Sequence, residues 1–142
     1  MKYSQRIEYK LVREKEEEYN GIVKSPEDVF KWFQRLEDSD TEKFITICLS
    51  AQNKVLCFDM VTNGTVNQAA VEIREILKAA ILTGASSIIV VHNHPSGDPE
   101  PSEDDIKITN KIREACEIMG IELADHVIVG LGTYYSFLDN GK

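Results

Sequence analysis

The sequence segment that most constrains the fold is residues 86–91, SSIIVV, a short and mainly β-branched run. Such a run, bounded by turn residues, is typical of a strand buried on both faces of a sheet. Apolar residues at helical spacing begin at Ala69 and stop at Gly84, and a second helical pattern extends from about Ser102 to Met119. A buried strand between two amphipathic helices requires helices packed over a sheet, so the sequence predicts an α/β fold.

The flanking segments add further elements to this fold. Ser25 as N-cap, Pro26 at the first helical position and Asp28 at the capping-box position predict the start of another helix. The stretch KFITICLSAQNKVLCFDMV predicts an antiparallel hairpin that turns at SAQN. Two more strands are predicted by IELADHVIVG and TYYSFLDNG. We therefore expect an α/β (α+β) protein whose mixed central β-sheet is flanked by about three helices.

The beginning of the chain has a different character. Residues 4–13 alternate between polar and apolar side chains, and the charged stretch REKEEEYNG follows them. This pattern predicts an edge strand and a solvated turn within residues 1–20. We expect residues 21–142 to form the domain proper, in a chain with a single domain overall.

The charge of the chain limits the partners that it can bind. Sixteen Lys and Arg residues against 24 Asp and Glu residues give a net charge of −8, which disfavours direct binding of duplex DNA. No apolar run approaches the ~20 residues that span a bilayer, and the first residues show no apolar segment of a signal peptide. We expect a cytoplasmic protein that does not enter the membrane.

The cysteines do not show the spacing of a metal site. Cys48, Cys57 and Cys116 are an odd number, lie far apart in the sequence, and fall within apolar strand or helix patterns. No C-x-x-C pair is present. The sequence therefore predicts reduced thiols in the core.

Two of the three histidines follow the buried strand, in the stretch VVHNHPSGDPEPSEDD. Side chains two residues apart on an extended segment point to the same side, so the imidazoles of His92 and His94 are expected to converge beyond the end of the strand. Ligand sites gather at this edge of sheets that carry helices on both faces. A proline-rich loop then delivers Ser102 and Asp105 to the first turn of the next helix.

These residues have a purely structural explanation as well as a functional one. Ser102 and Asp105 form a capping box, which stabilises a helix start without any catalysis, and one histidine near a strand end is an ordinary turn residue. Two adjacent buried imidazoles are harder to explain, because their desolvation is costly unless they share a partner. With the carboxylate of Asp105 they offer two nitrogens and one oxygen, a set typical of a zinc site that leaves a fourth position for water.

The spacing of these residues resembles a known motif. His92-x-His94, seven residues, Ser102, two residues and Asp105 match the JAMM motif of the JAB/MPN metalloproteases. The wider stretch HNHPSGDPEPSEDDIKIT, with GIELADHVIVG and YYSFLDNG after it, is similar to the RadC-like JAB branch. The similarity extends from about residue 25 to residue 141 and is most specific between residues 85 and 109.

The resemblance has two departures. Asn93 stands where eukaryotic JAMM proteases usually carry Ser or Thr, although Asn is usual in the RadC-like branch. The given sequence also has no room for the helix-hairpin-helix DNA-binding segment that precedes this domain in full-length RadC proteins. With the acidic charge, this leads us to expect that the DNA-repair role implied by the RadC name does not carry over to this chain alone.

The resemblance implies a JAB/MPN (cytidine-deaminase-like) architecture and one Zn²⁺ per chain, held by His92, His94 and Asp105. It implies that Ser102 donates a hydrogen bond to an oxyanion, and that a glutamate before a strand is the general base. Glu42, which opens KFITICL, fits that place best, although a solvated turn carboxylate is the alternative. Glu72 and Glu75 on the preceding helix are rivals for the base, and Glu100 and Glu103 lie near the expected rim.

The third histidine, His126, is alone on a predicted strand, where an ordinary structural role is the simplest interpretation. The RadC-like branch carries Asp-His at this point, so Asp125 and His126 are also candidates for orienting a ligand.

We interpret the chain as a zinc-dependent hydrolase of an amide bond, peptide or isopeptide, with a protein or peptide substrate. Two alternatives remain at this point: a non-catalytic partner-binding module with the same fold, and an accessory protein of DNA repair or recombination. The complete set of four motif residues favours the hydrolase over the module.

Overall fold

A computed structural model describes residues 6, 8, 10, 21–63 and 71–142. Residues 6, 8 and 10 belong to no helix or strand. The rest of the edge strand and turn predicted within residues 1–20 lies outside the described residues. So do residues 69 and 70, where the second helix is predicted to begin.

The described residues form a mixed five-stranded sheet with three α-helices. The elements, in chain order, are α1 (Pro26–Phe33), a 3-10 helix (Gln34–Asp38), β1 (Lys43–Leu49), β2 (Val55–Asn63), α2 (Ile73–Thr83), β3 (Ser87–Asn93), α3 (Glu103–Met119), β4 (Glu122–Val129) and β5 (Tyr134–Ser136). The strand order is β2-β1-β3-β4-β5. Only β3 and β4 pair in parallel, and the other neighbouring strands are antiparallel. This architecture confirms the predicted α/β class.

The ends of the helices follow from local chemistry. At the start of α1, the Asp28 carboxylate accepts a hydrogen bond from the Ser25 backbone N–H at 3.2 Å, and Pro26 takes the first helical position. Gly84 and Gly120 end α2 and α3 with φ of 64° and 70°, a left-handed conformation that other residues adopt only at a cost. The predicted helix stops are therefore confirmed.

Strand β3 lies at the centre of the sheet, and all seven of its residues are buried. On one face Ile88 and Val90 pack in a cluster that includes residues of α2 and α3, and on the other Ile89 and Val91 pack in a cluster that includes residues of α1. Burial of each such aliphatic side chain contributes about 1.5–3 kcal/mol to folding. Burial of β3 on both faces was predicted, and it fixes the position of the residues that follow the strand.

The cysteines depart in part from the prediction. All three are free thiols, but Cys48 and Cys57 lie directly opposite each other on β1 and β2, and Cys57 is only half-buried. They are distant in sequence and adjacent in space because the hairpin turn falls midway between them. Burial raises the pKa of the Cys116 thiol to about 11.

Within the described part of the chain, no helix is both long and apolar enough to cross a membrane.

Candidate active site

The two motif histidines meet at the carboxyl end of β3. The Nε2 atoms of His92 and His94 are 3.1 Å apart, so the predicted convergence is confirmed. His92 is 1% exposed, whereas the side chain of His94 is 15% exposed. The pair therefore has one ring inside the core and one ring at its edge, where a ligand can reach it.

Asp105 completes the cluster from the first turn of α3. Its Oδ1 lies 3.2 Å from Nε2 of His92, and its Oδ2 lies 3.0 Å from Nε2 of His94. One ligand atom from each of the three residues can be chosen so that all lie within 4.8 Å of one another. The structure thus brings together the three residues that the sequence singled out as metal ligands.

The capping box of α3 orients this carboxylate. The Asp105 N–H donates to Oγ of Ser102 at 3.1 Å, and the Ser102 N–H donates to Oδ2 of Asp105 at 2.8 Å. The capping role and the place in the cluster therefore coexist in the same two residues. Ser102 is exposed, and its oxygen acts as the acceptor in the cap, so its O–H can donate to a bound molecule.

The loop between β3 and α3 is held against the turn that follows β4. The His94 N–H donates to the Val129 carbonyl at 3.0 Å, and the Leu131 N–H donates to the Gly97 carbonyl at 2.8 Å. A Cβ on Gly130 would lie 2.5 Å from the Gly97 carbonyl oxygen, closer than any real contact. Only glycine fits at this position, and the close approach fixes the loop that carries His94.

The electrostatics of the cluster favour an anion beside a cation. Burial opposes ionisation of Asp105, but the neighbouring imidazoles of His92 and His94 and the Ser102 N–H hold the pKa of its carboxyl far below the usual range. Burial also opposes a charge on His94, yet hydrogen bonds to Asp105 and to the Asp98 carbonyl raise its pKa above the ordinary value. Asp105 is therefore an anion at neutral pH, as a metal ligand must be.

The directions of the hydrogen bonds show that the donor set fits a metal ion. Nδ1 of His94 lies 2.8 Å from the Asp98 carbonyl oxygen, which can only accept, so Nδ1 carries a hydrogen. In the neutral ring the lone pair is then on Nε2, the atom that faces Asp105 and His92. Lone pairs that converge on a carboxylate repel one another unless a cation lies among them, either a metal ion or the second proton of His94, whose pKa is raised. Two imidazole nitrogens and one carboxylate oxygen suit Zn²⁺ with one open position.

Glu42 lies immediately before β1, which pairs with β3 so that Phe44 is opposite His92. Its side chain is half-buried, and its charge contributes to raising the pKa of His94. The structure thus places Glu42 at the start of the strand that pairs with the His92 strand.

Asn93 fixes the backbone on both sides of Glu42. Its Oδ1 accepts from the Lys43 N–H at 2.7 Å, and its Nδ2 donates to the Thr41 carbonyl at 3.0 Å. Sequence reasoning recorded Asn93 only as a departure from a related motif and missed this role. Asn93 is fully buried, and its structural function is to hold the start of β1 against the end of β3.

The rival glutamates have different surroundings. Glu72 pairs with Arg74 at 2.7 Å, and Glu75 pairs with Lys78 at 2.9 Å, in each case at the surface of α2 or just before it. Each of these two carboxylates is therefore paired with a basic side chain of α2. Glu100 and Glu103 are exposed in the loop and in the first turn of α3.

His126 lies beneath the cluster and is 1% exposed. Its Nε2 is 2.7 Å from Nδ1 of His92, and its Nδ1 is 2.6 Å from Oγ1 of Thr109. Burial lowers the pKa of His126 well below the ordinary histidine value. The direct contact between His126 and His92 supports the orienting role considered for His126. Thr109 was missed, although its position four residues after Asp105 on α3 places both on one helix face.

Asp125, the other residue considered for an orienting role, turns to the opposite side of β4. Its carboxylate accepts hydrogen bonds from the Ser136 hydroxyl at 2.7 Å and the Leu138 N–H at 2.9 Å. Burial raises the pKa of Asp125 despite these bonds. Asp125 therefore ties residues 136–138 to β4, and these hydrogen bonds do not reach His92, His94 or Asp105.

Comparisons with known proteins point to one family. The family model of the RadC-like JAB domain matches residues 23–142. A UPF0758 protein of Methanosarcina barkeri is 41% identical over 126 residues, which are 88% of this chain and 55% of that protein. A UPF0758 protein of Geotalea uraniireducens is 42% identical over 118 residues, covering 82% of this chain and 52% of that protein. The chain thus spans about half the length of the curated relatives it matches.

Proposed function

The chain belongs to the RadC-like JAB domain family, and we propose that it is a zinc-dependent hydrolase that cleaves a peptide or isopeptide bond. The observation that carries this proposal is the convergence of His92, His94 and Asp105 at the end of β3, with Glu42 at the start of the neighbouring strand β1. His92, His94 and Asp105 hold one ion per chain. When bound, Zn²⁺ lowers the pKa of a coordinated water toward ~7 and so supplies a nucleophile at neutral pH.

The remaining residues handle the proton and the developing charge. Glu42, whose backbone is clamped by Asn93, accepts the proton of the attacking water and later delivers it to the leaving amine. Ser102 uses its O–H to donate a hydrogen bond to the oxyanion of the tetrahedral intermediate. One such donor is typically worth about 10²–10³ in kcat.

The substrate in this proposal is a protein or peptide. A net charge of −8 disfavours the phosphate backbone of duplex DNA, and an amide bond is the substrate class that the resemblance to the JAB/MPN metalloproteases implies. Three free thiols suit a reducing compartment, so the cytoplasm is part of the same proposal.

The test is peptide profiling with zinc-loaded protein. A defined library of linear peptides and a second set joined through the Lys Nζ atom are incubated with the protein, and new amines are identified by mass spectrometry. We expect cleavage in one set and none by His94→Ala. The proposal fails if neither set is cleaved above the level of that variant, or if Glu42→Gln cleaves as fast as the unaltered protein.

A further inference from the structure

A chain of three buried hydrogen bonds links two of the metal-site residues through the protein interior. It runs from Nδ1 of His92 to Nε2 of His126 at 2.7 Å, and from Nδ1 of His126 to Oγ1 of Thr109 at 2.6 Å. It ends where Oγ1 of Thr109 meets the carbonyl oxygen of Asp105 at 2.7 Å. This series of hydrogen bonds therefore begins at the ring of His92 and ends on the backbone of Asp105.

The donor and acceptor of each hydrogen bond follow from the final acceptor of the series, the Asp105 carbonyl. A carbonyl oxygen only accepts, so the single hydroxyl hydrogen of Thr109 is directed to Asp105. The Thr109 oxygen must then accept from His126, which places a hydrogen on Nδ1 of that ring. A buried imidazole favours its neutral form, which has one N–H, so Nε2 of His126 carries a lone pair.

The same reasoning fixes the tautomer of His92. Because Nε2 of His126 is an acceptor, Nδ1 of His92 carries the hydrogen of the bond between them. With one ring hydrogen, on Nδ1, His92 has its lone pair on Nε2, the atom that lies 3.1 Å from Nε2 of His94 and 3.2 Å from Oδ1 of Asp105. The opposite tautomer would direct a hydrogen into the place of a metal ion.

We propose that His126 and Thr109 are positioning residues that set the tautomer of His92 before any metal binds. Aromatic rings stack on both imidazoles and limit their rotation. The ring centroids of Phe44 and His92 are 5.8 Å apart, and those of Phe137 and His126 are 4.8 Å apart. Metal-binding histidines usually donate their second N–H to a carboxylate, a carbonyl or water. Here a second histidine and a threonine take that part. The purpose of this tautomer, which is to present a lone pair to zinc, rests on the proposed function. The tautomer itself can be tested without metal.

The direct test is ¹⁵N NMR of the histidine rings in the metal-free protein, at about pH 8, where ordinary imidazoles are neutral. Free histidine prefers the tautomer with the hydrogen on Nε2. If His126 does not orient His92, the His92 ring should keep that preference. We expect His92 and His126 both to carry the hydrogen on Nδ1. A spectrum in which His92 carries it on Nε2 overturns the proposal, whether or not the protein binds zinc or cleaves a substrate.

Matched variants test the consequence through zinc affinity, measured by competition with a chelator. Thr109→Val removes the hydroxyl at nearly constant shape, and Thr109→Ser retains it. We expect Thr109→Val to lose the Nδ1–H signature of His92 and to bind zinc more weakly, and Thr109→Ser to restore both. His126→Leu should lower the affinity about 10–100-fold, and His126→Gln, which keeps an acceptor, should lower it less.

Thermal unfolding of the metal-free variants separates loss of folding from loss of orientation. A folded Thr109→Val protein with the zinc affinity and His92 tautomer of the unaltered chain overturns the proposal. If His126→Leu does not fold, the Thr109 pair decides the question alone. If the unaltered protein binds no zinc, the proposed function fails, and the NMR result still decides the tautomer.

Discussion

Replacement of Gly130 by alanine tests how closely the His94 loop is held. The added Cβ would lie 2.5 Å from the Gly97 carbonyl oxygen and 2.8 Å from Cδ of Pro99. Ordinary contact begins near 3.4 Å, so the loop must retreat by about 0.9 Å. Overpacking of this kind costs about 1–3 kcal/mol of unfolding free energy. Because the loop begins at His94, we also expect zinc affinity to fall, and a misplacement of ~1 Å can in addition cost about 10²-fold in the rate of hydrolysis.

The assays are denaturant unfolding of the metal-free protein and chelator competition for zinc. Gly132→Ala is the matched control: Gly132 lies two residues further along the same turn, has φ of 68°, and has no atom within 4 Å of an added Cβ. This control should cost about 1 kcal/mol through backbone strain and leave zinc affinity unchanged. If Gly130→Ala retains both the stability and the zinc affinity of the unaltered protein, the close approach described here is wrong.

Three further predictions concern individual side chains. Glu42→Gln should keep zinc and stability but lose about 10²–10⁴-fold in hydrolysis, whereas Glu75→Gln should be nearly silent in the same assay; equal activities would remove Glu42 as the base. Ser102→Ala should cost about 1 kcal/mol in thermal unfolding yet retain zinc, and Asp105→Ala should not bind zinc tightly; equal zinc retention would mean that Asp105 only caps α3. All three thiols should remain titratable with zinc bound, and in native protein the buried Cys48 and Cys116 should react more slowly than the half-buried Cys57, because the hydrogen bond with Cys57 and burial raise the pKa of Cys48 and burial raises the pKa of Cys116 to about 11; reaction of Cys116 as fast as that of Cys57 would contradict its burial.

Local sequence patterns were sufficient for most of the fold. The period of apolar residues distinguishes helix from strand, and capping residues mark helix ends, so α1, α3 and the buried β3 could be predicted from neighbours in the sequence. The geometry of the candidate metal ligands was also local in part. His92 and His94 are two residues apart on an extended segment, which forces their rings to one side.

Contacts between distant segments could not be predicted in this way. Asn93 clamps the backbone around Glu42 from a strand about 50 residues away in sequence. His126 reaches His92 only because β3 and β4 pair in parallel, and Gly130 matters only because the His94 loop folds over it. Each of these contacts depends on sheet order and register, which single-sequence periodicity does not encode.

Metal content of the purified protein tests the central claim most directly. Protein loaded with Zn²⁺, freed of excess metal and measured by elemental analysis should hold one ion per chain, because the donor set of His92, His94 and Asp105 can be satisfied only once. The His92→Ala/His94→Ala double variant, shown to be folded by circular dichroism, should hold none. Full zinc content in that double variant would contradict the site and the mechanism built on it.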